Sequence, residues 1–404
     1  MEEKNILERL SEVNPEAEIW WDSSPLIYSY WVEEVLKRTP EEKKEVVQNQ
    51  YKRLYNPELE KTLFIGVTTN PPLIWDMIER MESYGDPYCK NILNDLMDKN
   101  PKADEETLTW IFYKEILKQA AQKYLGIFQK SDHKYGFVCG QVDSRNGNVH
   151  DEKKMLEQAE DLAKLSPNMM IKIPGTKEGY RVIKILTSKG IATNNTFAFV
   201  LPQLIAGANA VREGLEIARN EGVNLTRWRS VITFMSARYG ELGYLKKEAE
   251  ERGIKLSEAD VRWAEIAIFK KAYKIFKERD YPSKLLICSM RIGPPSDGER
   301  NACWHLEKLA GANIVYTCPP KFIELLMKIG DTIRFRHQID EEVPEDVLHK
   351  LLRIPYFQMA YAEDGLTADE FGTHPPFLAT AKAFGDGFQN IVNFVAKILR
   401  ERRR

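Results

Sequence analysis

The chain is short of the residues that staple small secreted folds or build metal centres. Its 404 residues include only five cysteines and six histidines. Cys89, Cys139, Cys288, Cys303 and Cys318 are scattered, odd in number and mostly set in apolar runs. That suits buried thiols in a reducing cytoplasm rather than a disulfide framework. No CxxC or HExxH spacing occurs and the histidines stand apart, so neither a structural zinc site nor a zinc hydrolase is expected. Net charge is also missing. With 58 basic and 60 acidic residues the sum is −2, which excludes the basic face that nonspecific nucleic-acid binding requires. No run of 18 uncharged apolar residues exists, so no membrane-spanning helix is expected. The opening segment MEEKNILERLSEVNPEAE lacks a basic stretch followed by an apolar core and does not read as a secretory signal. Linkers rich in Gly, Ser or Pro, internal repeats and low-complexity tracts are absent as well. What is left is 43% hydrophobic and 29% charged, the balance of an ordinary globular protein.

Within that composition a short strand pattern recurs. Eight apolar or β-branched segments stand out: 17–22, 62–70, 135–143, 169–174, 191–199, 230–237, 284–290 and 313–318. Between them lie stretches with helical spacing, at 151–165, 179–188, 202–220 and 259–279. Strands alternating with helices of this length indicate βα units and a mainly parallel sheet. Eight such units fit a closed α/β architecture, a (β/α)8 TIM barrel, better than an open sheet. Extra helices are expected in the 71–134 and 239–283 insertions and at both termini. Trp110, Phe112 and Tyr113 in the first insertion read as helix-packing residues. Residues 1–404 are expected to form one barrel domain, with a helical extension from about 320. The closing Glu401-Arg402-Arg403-Arg404 run reads as a solvated helix end, where cations suit the dipole.

Polar residues cluster near the ends of these strands. Lys172 in MMIKIP is the sharpest, because an ammonium is costly to bury in an apolar strand. Alternation places Met170 and Lys172 on one face and Ile171 and Ile173 on the other. Near the strand's C-terminal end, the lysine is expected at the barrel mouth, where active sites of this fold sit. Desolvation favours the neutral amine of a lysine, the form that attacks a ketone; a structural lysine snorkelling from a strand end is the alternative. Asp22 ends the first segment and Asn70 the second, while Gln141 and Asp143 share one parity on the third. Asn194 and Thr196 share one parity on the fifth; Thr233 and Met235 precede Arg238 on the sixth, and Ser289 precedes Arg291 on the seventh. Singly they have ordinary readings: Asp22 as a helix N-cap, Asn70 as a turn residue, either arginine in a surface ion pair. Together they form a polar series that a core built only for stability would avoid.

In this order, WWDSSPLI, GVTTNPPLI, QVDSR, MIKIPGTKEG, GIATNNTFAF and CSMR resemble the transaldolase family from about Trp20 to Pro320. The resemblance implies a Schiff-base barrel that needs no metal or cofactor and works on small sugar phosphates. It implies transfer of a dihydroxyacetone unit from fructose 6-phosphate or sedoheptulose 7-phosphate to an aldose phosphate. It also implies a cytoplasmic pentose-phosphate role with no nucleic-acid or membrane partner, and leaves a homo-oligomer open. By the same resemblance Lys172 matches the Schiff-base lysine and Asp22 the base for the donor's C4 hydroxyl. Asn70 and Asn194 match the asparagines that hold the dihydroxyacetone unit, and Thr196 the residue that positions a catalytic water. Ser289, Arg238 and Arg291 match the phosphate set. Forked guanidinium donors independently suit a phosphate dianion.

One position departs from the pattern. Gln141 stands where transaldolases carry a glutamate, and a glutamine orients water but exchanges no proton. Fructose 6-phosphate aldolases also carry glutamine there, yet they have a tyrosine near Met235 and lack an asparagine at Asn194. Slower imine chemistry in a transaldolase, release of free dihydroxyacetone, another sugar phosphate, and a barrel that binds without turnover all remain open. Asp143 is a candidate replacement acid, set against an ion pair with Arg145.

Overall fold

The computed structural model describes residues 4–56, 62–294 and 301–402. Eight strands follow one another around a closed barrel in chain order. They are β1 (Glu18–Asp22), β2 (Phe64–Thr68), β3 (Val138–Gln141), β4 (Met169–Pro174), β5 (Thr193–Ala198), β6 (Ser230–Met235), β7 (Lys284–Cys288) and β8 (Val315–Cys318). The pairings β2–β3, β3–β4, β5–β6, β6–β7 and β7–β8 are all parallel. All eight expected strands form, most of them shorter than their apolar segments. At β3 the reason is Gly136, which sits in the left-handed region (φ 80°), where a Cβ would lie 2.4 Å from the Phe128 nitrogen. The segment turns there, and pairing with β4 begins at Val138.

The helices form where capping and spacing dictate. Asp104 accepts from Thr107 N–H (2.8 Å) to start Glu105–Lys130. Thr176 accepts from Gly179 N–H (2.9 Å) to start Lys177–Ser188, and Ser257 with Asp260 forms a reciprocal capping box ahead of Glu258–Glu278. The first insertion holds three helices, Pro71–Ser83, Tyr88–Lys99 and Glu105–Lys130. The second holds Ser236–Leu242, Leu245–Glu251 and Glu258–Glu278. Beyond β8 the longest helix runs Pro375–Arg402. Between β1 and β2, the helix Tyr28–Lys37 follows the turn at Pro25–Ile27, where the capping reading of Asp22 placed a helix, while Lys44–Leu54 was not anticipated from the sequence.

The chain divides into two compact units whose boundaries fall inside β1 and β4. One comprises Met1–Trp20 and Ile173–Thr380, the other Trp21–Lys172 and Ala381–Arg404. In the second, Trp21 packs on Trp31, Tyr28 and Phe64 with ring centroids 4.9, 5.2 and 5.5 Å away. The described part of the closing helix end is exposed, as expected, and carries surface pairs. Glu401 pairs with Lys90 (2.9 Å), and Arg402 donates to the Asn94 carbonyl (3.1 Å) and pairs with Asp98. Arg403 and Arg404 lie outside the described residues.

In the first unit the strand beginnings are closed by polar groups that satisfy one another. Glu18, 3% exposed at the start of β1, accepts from Trp20 Nε1 (2.9 Å), Arg229 (2.5 Å) and Lys284 (2.7 Å). Burial alone raises a carboxyl, yet the Arg229 and Lys284 charges hold this one below its ordinary range. At the starts of β6 and β7, Ser283 donates to the Ser230 hydroxyl (3.0 Å).

Candidate active site

Most of the residues singled out in the sequence lie at or just past the opposite, C-terminal strand ends; Asn194, the second residue of β5, is the exception. In the second unit, Asp22 ends β1 and accepts from the Thr68 hydroxyl (2.7 Å) at the end of β2. The expected N-cap role falls instead to Ser24, whose Oγ meets Leu26 N–H before Pro25–Ile27. Asn70 is buried and caps Pro71–Ser83, its Oδ1 accepting from Leu73 N–H (3.0 Å). That commits the oxygen and orients Nδ2 as the remaining donor.

Gln141 ends β3 in register with Lys172 on β4. Its backbone carbonyl accepts from Tyr113 Oη (3.1 Å), a packing residue that also anchors this strand end. The side chain is fully buried, and neither amide atom has a hydrogen-bond partner. Lys172 is 4% exposed between fully buried Ile171 and Ile173, and among the described residues no hydrogen bond or ion pair holds its Nζ. Buried polar groups in stable interiors are nearly always paired, so two such neighbours mark a place shaped for something other than stability. Asp143 is committed elsewhere. Its carboxylate accepts from Arg145 N (2.9 Å) and Nη2 (2.9 Å), and Arg145 lies over the Phe388 ring (4.5 Å). The ion pair, rather than the replacement acid, describes this residue.

In the first unit, Asn194 Oδ1 accepts from Thr233 Oγ1 (2.7 Å) across β5 and β6. Thr196 is fully buried, and its hydroxyl has no partner. The β5–β6 register breaks between Asn195 and Ala198, and Phe197 adopts φ 57°. Asn195 turns the other way, its Nδ2 reaching the Thr196 carbonyl (3.2 Å). A non-glycine residue held in the left-handed region next to an unpartnered hydroxyl is the kind of local strain that collects at working sites. Arg238 lies on Ser236–Leu242 and donates to the buried Thr380 hydroxyl (3.2 Å). Ser289 follows β7, again with φ 57°. Arg291 forms a bidentate pair with Glu241 (Nε–Oε1 2.9 Å, Nη2–Oε2 2.8 Å), both side chains 43% exposed. The surface ion pair weighed for the arginines is thus present at Arg291. A cavity of about 630 Å³ beside Lys270, Tyr273 and residues 339–343 contains none of the residues singled out.

Ser23, Thr69 and Ser144 escaped sequence reasoning. Each follows a strand end, is buried, and carries a hydroxyl without a partner. Their signal was position alone, one to three residues past β1, β2 and β3.

A parallel eight-stranded barrel with unpaired polar groups at its C-terminal strand ends is the arrangement of a barrel enzyme. Residues 52–369 match the family described as Transaldolase/Fructose-6-phosphate aldolase, and the chain belongs to that family. Asp22 precedes the matched stretch. Among curated proteins, the chain is 33% identical over 176 residues to Transaldolase 2 of Streptomyces avermitilis, covering 43% of this chain and 45% of that protein. It is 27% identical over 281 residues to a transaldolase of Mycolicibacterium smegmatis, covering 66% and 72% of the two chains. A transaldolase of Thiobacillus denitrificans is 26% identical over 294 residues, covering 69% and 77%. No helix among the described residues is long and apolar enough to cross a membrane.

Proposed function

We propose that this enzyme moves a dihydroxyacetone unit between sugar phosphates in the cytoplasm, with residues 1–404 working as one catalytic domain and the helices after about 320 as its extension. The Lys172 amine attacks the C2 ketone of fructose 6-phosphate or sedoheptulose 7-phosphate, and the carbinolamine loses water to an imine. Asp22 takes the C4 hydroxyl proton, the C3–C4 bond breaks, an aldose phosphate leaves and an enamine remains on the lysine. The enamine attacks the aldehyde of an acceptor such as erythrose 4-phosphate, and hydrolysis of the new imine frees the lysine. Asn70 and Asn194 hold the three-carbon unit, Thr196 and Gln141 orient the water, and Ser289, Arg238 and Arg291 receive the phosphate. The chemistry asks for no metal or cofactor and leaves self-association open.

The observation that carries this reading is the pair of neighbours in register on β3 and β4, the Gln141 amide and the Lys172 amine, both buried residues whose side chains find no hydrogen-bond partner among the described residues. Borohydride reduction in the presence of fructose 6-phosphate should add a three-carbon fragment to Lys172. A folded protein that shows no adduct there sinks the proposal. Gln141 favours a second reading, in which the enzyme releases free dihydroxyacetone. A coupled assay with fructose 6-phosphate, with and without erythrose 4-phosphate, separates the two, since transfer depends on acceptor and release does not. Gln141→Glu sharpens the answer. A strong rise in transfer means that the native glutamine limits proton shuttling; a fall means that the site is built around it.

A further inference from the structure

The half-exposed side chain of Arg291 pairs with Glu241 and donates to the carbonyls of Ser289 (3.1 Å) and Met290 (3.2 Å), while its main chain is tied to a later segment. Its N–H donates to Nδ1 of His305 (3.0 Å), and its carbonyl accepts from Cys303 Sγ (3.4 Å). Two residues on, Gly293 N–H donates to Ala302 O (2.7 Å) and Gly293 O accepts from Trp304 N–H (3.2 Å). Arg291 and Gly293 are therefore both held by residues 302–305.

His305 is fully buried. Because Nδ1 accepts from Arg291, the proton of the neutral ring sits on Nε2, which donates to Glu265 Oε2 (2.9 Å). The same oxygen accepts from Arg262 Nη1 (2.5 Å). Burial pushes the imidazole below its ordinary range, and the Arg262 and Arg291 charges add to that against the pull of Glu265, so the neutral tautomer persists. Glu265 also meets a second element. A Cβ on Gly240 would lie 2.2 Å from its Oε1, so only glycine lets the helix Ser236–Leu242 approach so closely. That helix carries Arg238 and Glu241, the residue now paired with Arg291. One buried carboxylate thus lies against the helix of Arg238 at Gly240 and is linked to the main chain of Arg291 through His305. Buried charges of this kind are poor sources of net stability, which points to placement as their use.

We propose that His305 is a positioning residue for phosphate binding. Its Nδ1, backed by Glu265 and Arg262, fixes the Arg291 main chain so that the guanidinium passes from Glu241 to a sugar phosphate while the loop stays in place. The proposal rests on the reading of Arg291 as a phosphate ligand given above.

The test compares a phosphorylated donor, fructose 6-phosphate at saturating erythrose 4-phosphate, with unphosphorylated dihydroxyacetone trapped on Lys172 by borohydride. His305→Gln places its amide near Nε2 and leaves Arg291 N–H without an acceptor, whereas His305→Asn keeps an acceptor near Nδ1. The Gln variant is expected to raise KM for fructose 6-phosphate about tenfold with little change in kcat. The Asn variant is expected to recover most of that affinity, and trapping of dihydroxyacetone should be unchanged in both. In an Arg291→Ala background His305→Gln should add nothing further. Should His305→Gln fail to fold, Gly240→Ala displaces Glu265 from the other side and is expected to raise the same KM. Equal KM changes in the Gln and Asn variants, a parallel loss of trapping, an effect that persists without Arg291, or an unmoved KM in Gly240→Ala overturns the role of His305. An Arg291→Ala variant with native KM overturns the phosphate reading itself, and the His305 role with it. A raised KM in Arg291→Ala beside a native KM in His305→Gln overturns the His305 role alone.

Discussion

The two ends of the strands treat polar side chains in opposite ways. Where the strands begin, Glu18 takes three donors, and the hydroxyls of Ser230 and Ser283 meet each other. Where they finish, Asp22, Asn70 and Asp143 are paired, but Gln141, Thr196, Ser23 and Thr69 hold buried polar atoms with no partner among the described residues, and Lys172 lies in an apolar strand with no ion pair to any of them. Both sets are equally withdrawn from water, so burial does not distinguish them. The difference is whether the fold completes its own hydrogen bonds. A completed set serves stability; an incomplete one costs stability and is retained for chemistry.

The sharpest way to test that contrast is to remove one group from each end. On the proposed mechanism Lys172→Met removes the amine that forms the imine, so it should lower kcat by about four orders of magnitude, while its thermal midpoint should hold or rise. Loss of folding in place of activity would erase the distinction. Glu18→Gln should do the reverse. It leaves Arg229 and Lys284 facing each other without a buried counter-charge, at a cost of about 3–5 kcal/mol in denaturant unfolding, with the KM of the folded fraction unchanged.

Just beyond β5, His374 stands against Phe199 with ring centroids 6.1 Å apart and shares a hydrogen bond with Tyr356 Oη (2.8 Å). Burial pushes its imidazole down from an ordinary 6.5 to about 4. The unfolded chain therefore binds a proton that the folded chain refuses. Stability present above pH 6.5 should fall as the pH drops toward 4, by about 3 kcal/mol in all from this group. His374→Phe should flatten that part of the curve in urea titrations at pH 7.5, 5.5 and 4.5; an unchanged slope would assign acid lability elsewhere.

A smaller effect is expected at Gln141. Replacing the unpartnered amide by leucine should raise stability by about 1 kcal/mol while slowing imine formation and hydrolysis, a trade that a structural glutamine would not show. Smallest of all is Glu241→Gln. Its pair with Arg291 is half exposed and contributes less than about 1 kcal/mol, so KM for a phosphorylated donor should fall only a few fold. A rise in KM would instead make Glu241 part of the phosphate site.

The contrast also explains what could be read from the chain beforehand. Strand ends were visible because each polar residue sits beside its own apolar run: Lys172 in MMIKIP, Thr196 in TNNTFA. Locality carries that information. The beginnings were not visible, because Glu18 lies more than 200 positions from both Arg229 and Lys284 and only the barrel joins them. His305 was hidden for the same reason, its partners Glu265 and Arg262 lying some 40 residues upstream. Asn70 shows the limit of a single reading: it is the turn residue its Pro71 neighbour suggested, and a helix cap besides.

The five cysteines, few enough to argue against a disulfide framework, acquire a use in the folded chain. All five are buried and outside any disulfide, and burial pushes the Cys89 and Cys303 thiols up to about 12. A thiol so far from its reactive thiolate is silent until the structure around it opens. Cys89 and Cys139 belong to one compact unit, and Cys288, Cys303 and Cys318 to the other. The molecule thus carries two sets of natural clocks. Peptide-resolved alkylation of the native chain would time the breathing of each unit separately, without introducing a single probe.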